Sequence, residues 1–188
     1  MPTPIYAAAS AVANYCIYFF GGETFSGGVL NQIYHPASNS WSSGKNMSTQ
    51  IYGMSAAATT GVYASQKIYV MGGKNAFSSG EALNLNRIYD PSTDTWQVGA
   101  SMPEPRIFLS IVNINDLLYV LGGSPGYGEM QYLPSKANNW QYTPADYKCS
   151  LQQPETFPTK TIVIIAVMVT VVSVGFGIYF KHKTGSLT

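Results

Sequence analysis

KIYVMGG at residues 67–73, followed by IYDPSTDTW at 88–96, decides the fold of this 188-residue chain. The apolar run, rich in branched and aromatic residues, reads as a strand. The Gly-Gly pair that closes it permits positive φ and close approach of a neighbouring backbone. Asp90-Pro91-Ser92-Thr93-Asp94 reads as a turn, in which Pro fixes φ and the Asp and Ser side chains cap amides. Trp96 then opens an outer strand and is expected to cover the interface with the next unit.

The same order occurs three times. CIYFFGG (16–22) and LLYVLGG (117–123) match the first stretch, so that Gly21-Gly22, Gly72-Gly73 and Gly122-Gly123 stand 51 and then 50 residues apart. IYHPASNSW (33–41) and QYLPSKANNW (131–140) match the second, which pairs Tyr34 with Trp41, Tyr89 with Trp96 and Tyr132 with Trp140. Small or branched residues at 7–13, 53–60 and 107–113 precede each apolar run and suit a crowded inner strand. The segments MPTPIYA (1–7), MSTQIYG (47–53) and MPEPRIF (102–108) repeat between units.

A period near 50 with a double Gly, then Tyr and Trp, resembles the kelch repeat, whose unit is one four-stranded propeller blade. The resemblance covers residues 1–143 and implies an all-β chain of three antiparallel blades, at about 1–46, 47–101 and 102–143. Closed propellers have ~4–8 blades, so three read as part of a ring. The chain is expected to belong to a longer array, to complete a ring by self-association, or to form an open arc. The linker arginine of the family is matched here by Arg106, with Gln50 and Ile5 at the corresponding positions.

Charge is sparse. Ten Lys and Arg against nine Asp and Glu give a net charge of +1. That balance excludes a nucleic-acid binder working through a basic phosphate-contacting patch. Two cysteines, Cys16 and Cys149, make at most one bridge and no disulfide framework. Some propellers of this kind are copper oxidases or sialic-acid epimerases, but copper chemistry needs two imidazole ligands with a Tyr–Cys pair. The chain offers His35, in the turn position of Asp90, and His182 in its tail. No zinc spacing, phosphate loop or Ser–His constellation is present in the sequence. No catalytic residue, cofactor or metal site is assigned.

Residues 144–160 contain three prolines and read as an extended stalk. Residues 161–180, TIVIIAVMVTVVSVGFGIYF, carry no charge. A helix of that length spans roughly 30 Å, the thickness of a bilayer core. Residues 181–188 form a short basic tail led by Lys181, His182 and Lys183. The positive-inside rule places this tail in the cytoplasm and the blades outside. The alternative topology is a tail anchor with cytosolic blades. Asn46-Met47-Ser48 matches a glycosylation sequon.

The expected function is a membrane-anchored, non-catalytic module that binds protein or glycan at the cell surface. Its contact loops follow the Gly-Gly pairs and carry Phe25, Phe77 and Tyr127, with Glu23, Glu81 and Glu129 beside them. The alternatives are part of a propeller enzyme whose active site lies in further blades, and a structural surface scaffold.

Overall fold

The computed structural model describes residues 1–24, 29–75, 81–126, 135 and 137–148. The expected membrane span 161–180, the tail 181–188 and most of the expected stalk lie outside them. No helix among the described residues is long and apolar enough to cross a membrane.

Among the described residues eleven strands form three antiparallel sheets. The first blade is β1 (Ala9–Ala13), β2 (Cys16–Phe20), β3 (Asn31–His35) and β4 (Ser40–Ser43), paired in that order. The second is β5 (Ile51–Ala58), β6 (Ile68–Asn75), β7 (Asn86–Asp90) and β8 (Thr95–Val98). The third holds β9 (Ser110–Ile114), β10 (Leu117–Leu121) and β11 (Asn139–Tyr142). Consecutive strands thus pair as neighbours, the arrangement expected of a blade wound outward from its inner strand.

Local chemistry explains the hairpins. Asn14 and Tyr15 join β1 to β2 with φ of 49° and 60°, and Asn115 and Asp116 join β9 to β10 with φ of 54° and 61°. Two successive left-handed residues make the tight turn whose twist matches antiparallel strands, and Asn and Asp tolerate it best. In the second blade residues 59–67 replace this turn with a nine-residue loop. The outer turns are fixed by the repeat tyrosines. Tyr34 donates to Asn39 Oδ1 at 2.9 Å and Tyr89 to Asp94 Oδ1 at 2.7 Å. Asn39 and Asp94 are each left-handed, at φ 49° and 52°.

The register corrects the reading of the third repeat. Ile17 pairs with Tyr34, Ile68 with Tyr89 and Leu118 with Tyr142. Phe20 pairs with Asn31, Met71 with Asn86 and Leu121 with Asn139. The third strand of every blade therefore begins Asn-x-x-Tyr, and in the third blade it is β11. Tyr142, not Tyr132, is the counterpart of Tyr34 and Tyr89. Trp140 pairs with Val120 as Arg87 pairs with Val70, so it is no counterpart of Trp41 or Trp96. Tyr132 itself lies outside the described residues. Tyr142-Thr143-Pro144 matches Tyr34-His35-Pro36 and Tyr89-Asp90-Pro91, which makes 144–148 the start of a blade turn rather than of a stalk. Those residues fold back onto the second blade. Lys148 N donates to Tyr63 O at 2.6 Å, Ser65 N donates to Asp146 at 3.0 Å, and the rings of Tyr63 and Tyr147 stack at 6.0 Å.

The blades pack face to face through alternate residues of their strands. Between the first and second lie Ala9, Ala11, Tyr18, Phe20, Ala56, Ile68, Val70 and Tyr89. Between the second and third lie Ala57, Tyr69, Met71, Leu109, Ile111, Leu118 and Val120.

Candidate functional site

The Gly-Gly pairs lie at one end of the blades, where the first two receive the linker of the following blade. Gly22 N donates to Ile51 O at 2.9 Å, and Gly73 N donates to Arg106 O at 2.7 Å. A Cβ on Gly21 or Gly72 would stand 2.5 Å from those same carbonyl oxygens, so only glycine admits the approach. Ile51, not Gln50, is therefore the partner position of Arg106. A second ladder joins the linkers directly, with Gly53 N donating to Ala7 O and Phe108 N to Gly53 O, both at 2.8 Å. Ala7, Gly53 and Phe108 all hold positive φ.

The expected contact loops leave from this end. Glu23 exchanges backbone bonds with Tyr6, whose hydroxyl also donates to its carboxylate. Glu81 is exposed and bridges to Gly126, so the second and third loops meet. Phe25, Phe77, Tyr127 and Glu129 lie outside the described residues.

The outer rim offers better-formed concavities. One, of about 430 Å³, lies between the linker leaving the first blade and the outer strands of the second. Its walls include Lys45, Met47, Ile51, Arg87, Trp96 and Val98. Another, of about 390 Å³, lies between the second blade's exit and β11, with Met71, Met102, Pro103, Trp140 and Tyr142 in its wall. Arg87 and Trp140 occupy the same register in their blades, so the two grooves are repeats of one another.

The first groove is rigidly built. Trp96 Nε1 donates to Lys45 O at 2.7 Å, and Lys45 N donates to Asp94 Oδ1 at 2.6 Å. That backbone donor holds the Asp94 carboxyl below the usual range, helped by the Tyr89 hydroxyl. Burial pushes the Tyr89 phenol well above its usual range. Trp96 packs edge-on to Phe20 at 5.2 Å, so it covers the preceding blade and not the next one. In the second groove the buried Arg106 guanidinium lies 4.7 Å from the Trp140 ring centre and pairs with Glu104 at 2.8 Å. The cation and the ring attract through the ring's quadrupole.

Sequence reasoning missed three positioning groups. Asn31 Nδ2 donates to Lys45 O and Asn86 Nδ2 to Ala100 O, each at 3.2 Å, which holds the exit of each blade at the groove wall. The repeated Asn-x-Ile-Tyr was the available signal. Asp116, fully buried, accepts from the backbone of Thr60, Val62, Tyr63 and Ala64 and so cages the loop 59–67 of the neighbouring blade. These donors outweigh burial and lower its carboxyl to about 2. His35 sits between Cys16 Sγ at 3.2 Å and Ser42 Oγ at 2.7 Å, half-buried rather than exposed. Among the described residues no group of three His, Cys, Asp or Glu side chains is placed to hold a metal ion.

Comparison with known proteins agrees with this architecture. The Kelch motif model matches residues 57–103. Kelch-like protein 26 of Danio rerio is 32% identical over 108 residues, which is 57% of this chain and 17% of that protein. Alpha-scruin of Limulus polyphemus is 40% identical over 58 residues, 31% of this chain and 6% of its own length. The chain thus spans less than a fifth of either relative. Among solved structures, that of YjhT superposes with a TM-score of 0.56 at 22% identity, covering 66% of this chain and 36% of the other, a likeness of fold. The Kelch motif match and the kelch-like relatives support a kelch-repeat reading of this chain, and three antiparallel sheets with a shared register are the architecture such repeats build.

Proposed function

We propose that this chain is a non-catalytic protein-binding module that docks an extended segment of its partner in the outer-rim groove beside Trp96. The groove itself carries the reading. Met47, Ile51, Trp96 and Val98 give it an apolar floor, and Val98 is 70% exposed although it closes a strand. Lys45 and Arg87 flank that floor with positive charge. Such a groove suits an apolar side chain next to a carboxylate, presented by an extended peptide along the outer strand.

The module is tethered by 161–180, with its blades outside and 181–188 in the cytoplasm. Twenty uncharged residues followed by Lys181 and Lys183 support this arrangement. Carbonate washing should leave the protein in the membrane, and protease added to intact cells should remove the blades. Recovery in the wash, or blades that survive until permeabilisation, would refute the tether or its orientation.

Binding is tested by selecting random peptides on the full-length protein in mild detergent. Enriched peptides should combine an apolar residue with Asp or Glu and lose about tenfold in affinity with either Val98→Asp or Arg87→Glu. Peptides indifferent to both substitutions would overturn the groove as the binding site.

A further inference from the structure

We infer that Cys16, with His35 and Ser42, is a thiol-exchange site of the first blade, which takes up small disulfides as reversible mixed disulfides. Cys16 Sγ lies 3.2 Å from His35 Nδ1, and His35 Nε2 lies 2.7 Å from Ser42 Oγ. A nucleophile, a base and a group that orients the base thus stand in line, the arrangement that activates a thiol.

Three adjacent strands make this line. Ile17 of β2 pairs with Tyr34 of β3, so Cys16 and His35 are the next opposed residues of the antiparallel ladder. His35 pairs with Ser40 of β4, and Ser42 stands two residues along the same face, within reach of the far ring nitrogen. The contacts suit both protonation states of the ring. In the neutral imidazole, Nε2–H donates to Ser42 Oγ and leaves Nδ1 to accept from the thiol. Once the proton has moved, Nδ1–H donates to the thiolate and the Ser42 bond is unchanged. Among the described residues neither Cys16 nor His35 forms an ion pair with Lys, Arg, Asp or Glu.

The blade itself does not need this pair. In the second blade the same registers hold Lys67 and Asp90, beyond Ile68 and Tyr89. There the Ser92 hydroxyl and, less strongly, the Lys67 charge hold the Asp90 carboxyl below its usual range. In the third blade they hold Leu117 and Thr143, beyond Leu118 and Tyr142. Strand pairing therefore proceeds with opposite charges or without a charged pair at all, and packing alone does not call for a thiol facing an imidazole. What the first blade adds is a pair whose charges appear when one proton moves.

The sulfur is within reach of a small molecule. Cys16 and His35 are half-buried and Ser42 is exposed. Cys16 rests on the core between the first and second blades, while its neighbour Tyr15, in the hairpin turn, is 97% exposed. Its cross-strand partner Ala13 adds no bulk over it. The site lies at the end of β2 opposite Gly21-Gly22 and shares no residue with the rim groove, so peptide binding there can fail without touching it.

The step balances without a further oxidant. The Cys16 thiol passes its proton to His35 Nδ1, and the sulfur attacks one sulfur of the incoming disulfide. The bond from Cys16 Sγ forms as the incoming S–S bond breaks, and the departing thiolate takes the proton from His35. One disulfide is exchanged for another, and a second thiol reverses the step.

The test uses full-length protein in mild detergent with Cys149→Ser, and oxidised glutathione as the disulfide. Peptide mass mapping without reduction should find glutathione on Cys16, and dithiothreitol should remove it. A free thiol is only a few per cent ionised near neutral pH, so His35→Thr, the residue the third blade carries at this register, should slow uptake about tenfold. His35→Lys keeps a cation beside the sulfur and should retain most of the rate. The circular dichroism of both variants should match the parent, and in urea all three proteins should react alike. No adduct on Cys16, or a folded parent that reacts no faster than His35→Thr, overturns the site. A rate difference that persists in urea also overturns it. So does a Cys16–Cys149 bond in untreated protein with both cysteines in place, because the thiol then has its partner within the chain.

Discussion

The two internal blade boundaries share one backbone plan and are filled and fastened differently. Between the first and second blades the filling is aromatic, with Tyr18, Phe20, Tyr89 and Trp96 in mutual contact over an alanine-lined inner strand. Its polar fastening is at the rim, where Asp94 takes the backbone of Lys45. Between the second and third the filling is Met71, Met102, Leu109, Ile111, Leu118 and Val120. Its fastening is at the hairpin end, where Asp116 takes four amides of the loop 59–67. Paired Gly-to-linker hydrogen bonds fix the spacing of the blades at both. Once that spacing is set, any apolar set of suitable volume serves. Where a tight turn has grown into a loop, a buried carboxylate satisfies the amides that the turn would have paired.

The comparison breaks first at Asp116. Asp116→Ala leaves those amides without their charged acceptor and should cost about 4 kcal/mol in urea unfolding, against about 1 kcal/mol for Asp94→Ala at the exposed rim. Equal costs would mean that the loop finds other partners. Gly72→Ala comes next. Its Cβ would stand 2.5 Å from Arg106 O in a left-handed conformation, whereas Gly122 shares the conformation and meets nothing. The expected losses are about 3 and about 1 kcal/mol.

Acid separates the boundaries as well. The folded Asp116 carboxyl, at about 2, binds its proton less tightly than an unfolded Asp at 3.8. Its contribution is therefore complete above about pH 4 and is lost as pH falls toward about 2, some ~2 kcal/mol in all. Asp116→Asn should flatten stability across that window. The smallest contrast is between two tryptophans. Trp96→Ala should cost about 2 kcal/mol by uncovering Phe20, and Trp41→Ala less than about 1 kcal/mol, since the rings it meets, Phe19 and Tyr34, belong to its own blade.

The first two blades were legible because their strands, glycines and turns all obey local rules. Gly-Gly needs positive φ, Asp-Pro-Ser needs a turn, and alternation needs a sheet. The third blade misled for a physical reason. The distance from the second Gly to the strand-opening Asn is nine, thirteen and sixteen residues in the three blades, because loops lengthen at little energetic cost. Tyr132 and Trp140 stand eight residues apart against seven in the other repeats, close enough to pass for the motif with one insertion, while Asn139-x-x-Tyr142 kept the true register. Glu23 and Glu81 were found near the Gly-Gly end because loops start there. The groove was not legible, since it joins Lys45 to Trp96 across a blade boundary that no local pattern records. Asp116 was equally hidden, as its partners lie more than fifty residues away.

The fold-back of residues 144–148 has a mechanical consequence. A pull on the chain beyond Lys148 does not reach the third blade alone. The bonds from Lys148 to Tyr63 and from Ser65 to Asp146 put part of the load on the second blade, and Asp116 carries the same loop back to the third. Two blades thus share the tension in parallel, and neither can peel away before the loop between them lets go.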